Sequence, residues 1–344
     1  MQIINSEIKK ILCIKPRGIG DVVLSTIVLE NLRAHFTNAK IDFLTEDFVK
    51  PSIDGIPLIN KVLTMRKSEF PLKVANRIRK EKYDLIFDFW SNPRSALITF
   101  LSFTEYRVGF NYRGRSFAYN FKVDVGRGEH HSAEHNLELL KALDVKIISK
   151  NIYAFVDNKK NEWAENFISD NFSNDTPVIG IIPSGGWESK RCDAEKWVEI
   201  CKLLKKELDI QLMIIWGPGD ELDAQLISNG LPDSSFLSPK TSISEMSALI
   251  NNCSLIIAND SGPMHISAAL GIPTLGLFGP TDPKKHGPYS ENSNYVIKSD
   301  LHCIICNKLT CPYNHECMKE LPIDEVLMKA KNMLNIIPEI DEKY

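Results

Sequence analysis

The feature that most constrains the fold is an alternation, made twice, of short apolar runs with stretches of helical periodicity. In the first half the runs fall at 11–15, 41–45 ("IDFLT"), 84–88 ("DLIFD") and 107–109, with helical patterns at 21–36 and 69–82. In the second half they fall at 178–182 ("VIGII"), 211–216 ("QLMIIW"), 255–258 ("LIIA") and 273–277 ("PTLGL"), alternating with helices at 193–208, 220–228, 243–251 and 263–270. Strands separated by helices imply parallel βαβ units and a doubly wound sheet. A polar stretch, 156–178, separates the halves, and its middle has the pattern of one helix. With 344 residues, about twice the usual domain, the expected class is α/β with two Rossmann-like doubly wound parallel-sheet domains facing a central cleft. The expected divisions are an N-terminal domain over 1–160, a linker over 161–176, a C-terminal domain over 177–320, and a helix and tail over 321–344. Open parallel sheets bind ligands outside the carboxyl ends of their strands, so two of them suit the transfer of a group between two substrates.

Several classes are excluded or disfavoured. A formal net charge of −3 argues against a general nucleic-acid binder, although a local basic patch is compatible with it. No stretch approaches the roughly 18 apolar residues of a membrane span. The start, "MQIINSEIKKILCIK", lacks an apolar signal core and reads as a polar lead-in to a strand, so a cytoplasmic location is expected. Of eight cysteines, Cys13, Cys192, Cys201 and Cys253 are scattered, while Cys303, Cys306, Cys311 and Cys317 crowd into "HCIICNKLTCPYNHEC". That spacing fits a structural zinc knot, a pair of disulfides, or free thiols packed in a loop, and these stay open.

The chemistry-bearing segments follow strands. In "KPRGIGDVVL" (15–24) a glycine turn opens a helix, ordinarily a place for phosphate, yet Asp21 occupies the anion position. In "NDSGPMHISAALGIPTLGLFGPTDP" (259–283) a strand ends at Asn259-Asp260 and Ser261-Gly262-Pro263 opens a small-residue helix. Proline suits a first helical position, and a diphosphate there meets free amides and the positive dipole end. Taken singly, Asp260 and Ser261 read equally as helix caps and His265 as a packed helix residue. In "PSGGWESKRCDAEKW" (183–197) Lys190 and Arg191 precede a helix capped by Asp193. Cations beside a helix N-terminus oppose its dipole unless an anion sits between them, and they can stabilise charge on a departing phosphate. In "IIWGPGDE" (214–221) a carboxylate after the glycine turn can bind ribose hydroxyls or simply favour the helix start.

These segments together resemble the heptosyltransferases of glycosyltransferase family nine. The matching pieces are "KPRGIGDVVLSTIVLENLR", "YDLIFDFWSNPRSALITFLS", "RVGFNYRGRSFAYN", "PSGGWESKRCDAEKWVEI" and "NDSGPMHISAALGIPTLGLFGPTDP". The resemblance implies a GT-B fold with the acceptor on the N-terminal domain and a nucleotide-sugar donor, ADP-heptose, on the C-terminal one. It implies an inverting, metal-independent transfer to a hydroxyl of a lipopolysaccharide-core-like glycolipid, with no required cofactor. Asp21 stands at the place of the proposed general base, which answers why a carboxylate fills that turn. By the same resemblance Ser184, Lys190, Arg191, Glu221, Asp260, Ser261, Gly262 and His265 serve the donor. Here Cys192-Asp193 follows the Lys-Arg pair where the family commonly has an aromatic residue or proline, which leaves the register of Lys190 against Arg191 open.

Acceptor recognition is expected in the first domain. "YRVGFNYRGRSFAYNFKV" (106–123) sets Arg107, Arg113, Arg115 and Lys122 among aromatics, and with Lys15, Arg17 and Arg94 they can bind an anionic glycolipid. The acceptor residues are therefore Arg17, Arg94, Arg113 and Arg115. The same basic surface suits loose contact with the inner membrane face, without a span. Two rivals stand beside this reading. A NAD(P)-dependent oxidoreductase would use Gly18 and Gly20, with Glu46 for ribose, but it meets Val23 at the third glycine position and leaves 259–283 without a role. A non-catalytic sugar-nucleotide or glycan-binding protein would bind without turnover.

Overall fold

The computed structural model of the chain describes residues 7–126, 129–173, 175–231 and 235–335. The end of the expected tail, 336–344, lies outside the described residues. The chain forms two compact units, Met1–Phe155 and Val156–Tyr344. Most of the expected linker, 161–176, lies in a helix, Asn158–Asn171, capped by the Asp157 side chain. That helix belongs to the second unit, where Lys160 pairs with Glu245 at 2.8 Å.

In the first unit the strands are β1 (Lys10–Ile14), β2 (Lys40–Glu46), β3 (Lys61–Met65), β4 (Leu85–Asp88), β5 (Tyr106–Phe110) and β6 (Phe121–Val123). They lie side by side as β3-β2-β1-β4-β5-β6, every pair parallel. The second unit has β7 (Val178–Ile182), β8 (Gln211–Ile214), β9 (Ser235–Leu237), β10 (Leu255–Asn259), β11 (Thr274–Phe278) and β12 (Ser293–Ile297). Its order is β12-β11-β10-β7-β8-β9, again all parallel. Counted within each unit, both sheets have the doubly wound order 3-2-1-4-5-6. Strand order reverses between β1 and β4 and between β7 and β10. The loops leaving those four strands therefore flank each sheet's binding crevice.

The eight apolar runs of the sequence are the inner strands of the two sheets. The four strands without such a run, β3, β6, β9 and β12, are the four edges. An edge strand pairs on one side and is partly wet, as at Lys61, Lys122, Ser235 and Asn294, whereas the inner strands are buried over most of their length. The helix expected over 21–36 is also broken. It runs Ile19–Ser25, passes through a 3₁₀ turn at Thr26–Val28, and resumes at Leu29–His35. The Ser25 and Thr26 hydroxyls donate back to the carbonyls of Val22 and Val23, and Thr26 Oγ1 also accepts from Tyr153 N at 2.7 Å. Side chains competing for backbone groups bend a helix in this way.

One ionic node ties the first sheet to its helix Pro71–Glu81: Lys10 and Lys61 each reach Glu81 at 2.6 Å. Hydrogen bonds from the two ammonium groups lower the Glu81 carboxyl from 4.5 to about 2. A carboxyl depressed in the folded state contributes stability above its unfolded pKa and loses it as pH falls to the folded one. Glu81→Gln should therefore melt below the parent at neutral pH. The gap should close between about pH 4.5 and about pH 2, as read by thermal melts in low salt. A gap independent of pH would show that packing, not charge, carries the effect.

Candidate active site

On the first unit the loop after β1 is shaped around Asp21. Gly18 has φ +81°, a left-handed conformation, and a Cβ there would run into the Asp21 carboxylate. Glycine is thus required at Gly18 both for backbone conformation and for room. Asp21 lies in the first turn of Ile19–Ser25 with its side chain half exposed. Its partner is Lys15, whose ammonium is buried 3.8 Å away, donates to the Phe89 carbonyl at 3.2 Å and lies over the Trp90 ring. Lys15 thus faces the turn. Arg17 stands with Nε 3.7 Å from Glu46 Oε1, a buried carboxylate oxygen with no hydrogen bond. The pattern of a dinucleotide turn fails here because Asp21 fills the space above Gly18.

The other acceptor-side arginines divide by what they touch. Arg94 donates to the carbonyls of Arg66 and Glu69 at 2.6 and 2.7 Å, fixing the loop after β3. That loop lines a hollow of about 520 Å³ with Asp47, Arg66, Glu69, Phe70, Lys73 and Arg77, none of which the sequence patterns singled out. Arg107 is spent on the Ala118 and Thr104 carbonyls, and burial lowers its pKa. Arg113 is exposed, and Arg115 donates to the Ser91 carbonyl at 3.3 Å.

The turn beneath Arg115 rests on a buried network. Asp88, at the end of β4, accepts from Tyr119 OH at 2.7 Å and from the amides of Trp90 and Ser91, and burial raises its pKa. Gly109 on β5 leaves room for the Tyr119 ring, whose carbons would lie 2.5 Å from an added Cβ. Gly109→Ala should push Tyr119 off Asp88 and destabilise the unit by about 2–3 kcal/mol, an overpacking cost joined to a lost buried hydrogen bond. Chemical denaturation would show it as a lower midpoint at unchanged slope. A variant as stable as the parent would mean that the ring moves freely.

On the second unit the loops after β7, β8, β10 and β11 converge through side chains. Lys190, in the turn Glu188–Lys190 after β7, pairs with Asp260 Oδ2 at 2.7 Å and lies over the Trp187 ring. Thr281, in the loop after β11, donates to the same Asp260 oxygen at 2.6 Å. Arg191 pairs with Asp220 at 2.8 Å, lies 3.7 Å from Asp223, and donates from Nε to the Gly185 carbonyl. This resolves the register of the pair: Lys190 turns to the β10 loop and Arg191 to the β8 loop. Asn259 Nδ2 ties the β10 loop to the Pro183 carbonyl at 2.7 Å.

Ser261 is the N-cap residue of helix Gly262–Ala269, but its hydroxyl makes no capping bond. Ser261 Oγ and Asn259 Oδ1 are both buried without a hydrogen-bond partner among the described residues. Buried polar atoms are normally paired, so two orphans beside uncapped amides mark a place for a polar ligand. Gly262 is the first helical residue, His265 is buried one turn on, and Ser184 is half-buried in the β7 loop. Glu221 opens helix Glu221–Asn229 and is exposed, while its neighbour Asp220 is buried against Arg191. Asp193 does not cap its helix; its carboxylate lies 3.6 Å from His315 Nδ1.

No disulfide joins the four clustered cysteines, and among the described residues no group of three or more His, Cys, Asp or Glu side chains is placed to hold a metal ion. Burial and the thiols of Cys311, Cys306 and Cys303 push Cys317 up to about 12. Their segment braces two of the converging loops. Asn307 N donates to the Pro280 carbonyl at 2.7 Å, and Ser189 Oγ donates to the Lys308 carbonyl at 2.6 Å. Among the described residues no helix is long and apolar enough to cross a membrane.

Comparison with known proteins bears on the fold and the family. The chain is 28% identical over 330 residues to lipooligosaccharide heptosyltransferase 2 of Campylobacter jejuni, covering 93% of this chain and 96% of that protein. Its fold matches a glycosyltransferase family 9 protein from Veillonella parvula with a TM-score of 0.84 at 19% identity, over 97% of this chain and 99% of the other. It also matches the ADP-heptose lipopolysaccharide heptosyltransferase II of Escherichia coli with a TM-score of 0.78 at 22% identity, over 95% and 99% of the two chains. The sequence profile of glycosyltransferase family 9 (heptosyltransferase) matches residues 72–316, most of the chain, and the protein belongs to that family.

Proposed function

We propose that the protein transfers heptose from ADP-heptose to a hydroxyl of a lipopolysaccharide-core glycolipid, with inversion at the sugar carbon. The observation that carries this reading is the set of loops on the second unit, where Lys190, the uncapped start of helix Gly262–Ala269 and the orphaned Ser261 and Asn259 oxygens meet at the strand-order reversal. A diphosphate accepting from those amides and from Ser261 would satisfy them, and exposed Glu221 would take the ribose hydroxyls. The relatives' names supply the donor and the acceptor class.

In this reading Asp21 takes the proton of the acceptor hydroxyl as its oxygen bonds the anomeric carbon. The bond from that carbon to the diphosphate breaks, and the nucleoside diphosphate leaves with the bonding pair. The transition state has oxocarbenium character, which a nearby carboxylate stabilises. Charge on the departing diphosphate is met by the helix start and Lys190, so the transfer needs no metal or cofactor. Arg17, Arg113 and Arg115, with the cationic hollow behind Arg94, would receive an anionic glycolipid. That surface would rest loosely on the cytoplasmic face of the inner membrane.

Incubation with ADP-heptose and a truncated lipopolysaccharide core tests the reading, with ADP release and acceptor mass as readouts. A heptose-sized gain in acceptor mass is expected. Donor binding without any gain would favour a binding role or another acceptor, and no donor binding would remove ADP-heptose as the donor.

A further inference from the structure

Both cations of the β7 loop are already paired. Lys190 has Asp260 at 2.7 Å, with the two side chains only 15% and 6% exposed, and Arg191 has Asp220 at 2.8 Å with Asp223 beyond it. A site built to hold a free phosphate group would leave such cations open. This one carries more carboxylates than cations, and the carboxylate nearest Lys190 is fixed in place by the Thr281 hydroxyl, itself buried. Lys190, Asp260 and Thr281 come from three different loops, and one carboxylate oxygen receives both donors.

We propose that Asp260, held by Thr281, is a charge filter on Lys190 that favours the sugar nucleotide over the free nucleoside diphosphate; this rests on the donor reading above. In a sugar nucleotide the terminal phosphate is esterified, and it carries one ionised oxygen fewer than in the nucleoside diphosphate that transfer leaves behind. A fixed carboxylate beside Lys190 costs the more highly charged anion more, while it can accept a hydrogen bond from a neutral sugar hydroxyl. Specificity by a repulsive element predicts that product leaves readily once the sugar is gone.

The test is titration calorimetry of the full chain with ADP-heptose, ADP and inorganic pyrophosphate. Asp260→Asn keeps the shape and removes the charge. It should tighten pyrophosphate and ADP by about tenfold or more while ADP-heptose gains little, so the preference for the donor shrinks. Thr281→Val should shift ADP and pyrophosphate the same way by less, and Thr281→Ser should restore parent behaviour, which a purely structural role would not require. If Asp260→Asn does not fold, the two Thr281 variants carry the test. Folded Asp260→Asn that binds pyrophosphate and ADP no more tightly than the parent overturns the filter, even if the parent turns over ADP-heptose. Pyrophosphate that tightens while neither nucleotide binds either protein removes the donor reading and overturns the filter with it, leaving only an anion-repelling carboxylate.

Discussion

Asp21→Asn should lower turnover by about 10²–10⁴-fold and leave donor affinity unchanged. The loop alone sets the surroundings of this side chain: Gly18 is bent out of the way, and Lys15 supplies a buried positive charge 3.8 Å from the carboxylate. Asparagine keeps the shape in the first helical turn and keeps a hydrogen-bond acceptor, but it cannot take a proton. The loss should therefore fall on kcat, because the proposed donor site is made by residues of the second unit. Single-turnover rates beside donor titrations separate the two quantities. A variant that keeps more than a tenth of the parent rate would show that another group takes the proton.

Lys190→Met should weaken donor binding by about 3 kcal/mol, roughly a hundredfold. Two losses combine. The ammonium would no longer meet the diphosphate of the proposed donor, and Asp260 would be left with its charge buried and answered only by Thr281. Removing one partner of a buried pair costs more than the pair was worth, because the survivor stays desolvated. This variant and Asp260→Asn should move anion affinity in opposite directions, which no general loosening of the loop would do. Calorimetry on both decides the matter, and a Lys190→Met variant that binds donor as the parent does would place the diphosphate elsewhere.

The inner strands and the loops after them were legible because each is local. A buried parallel strand shows as an unbroken apolar run, and a glycine turn opening a helix shows as a short motif, so Asp21, Lys190, Asp260 and Ser261 could be picked out by position. The edge strands were not legible, because β6 and β9 are only three residues long and partly wet, with polar residues such as Lys122 and Ser235 breaking any apolar run. The broken helix over 21–36 was hidden for a related reason: Ser25 and Thr26 look neutral in a helical pattern until Tyr153, far along the chain, completes the alternative bonding.

Roles that depend on partners distant in sequence lay beyond the motifs. Arg94 and Arg107 look like ligand-binding cations in the sequence, and in the structure they hold carbonyls of neighbouring loops. Thr281 stands inside the longest motif, yet nothing in its own neighbourhood says that it fixes Asp260, 21 residues earlier. The sequence by itself determined the doubly wound class, the positions of the strand-ending loops and the residue types they present, since short-range periodicity and turn chemistry dictate those. Only the tertiary structure decided which cation meets which carboxylate, which carboxylates are buried and which polar atoms are left without partners. Those outcomes depend on parallel strands bringing distant loops to one sheet edge, where electrostatics and desolvation act through space and not along the chain.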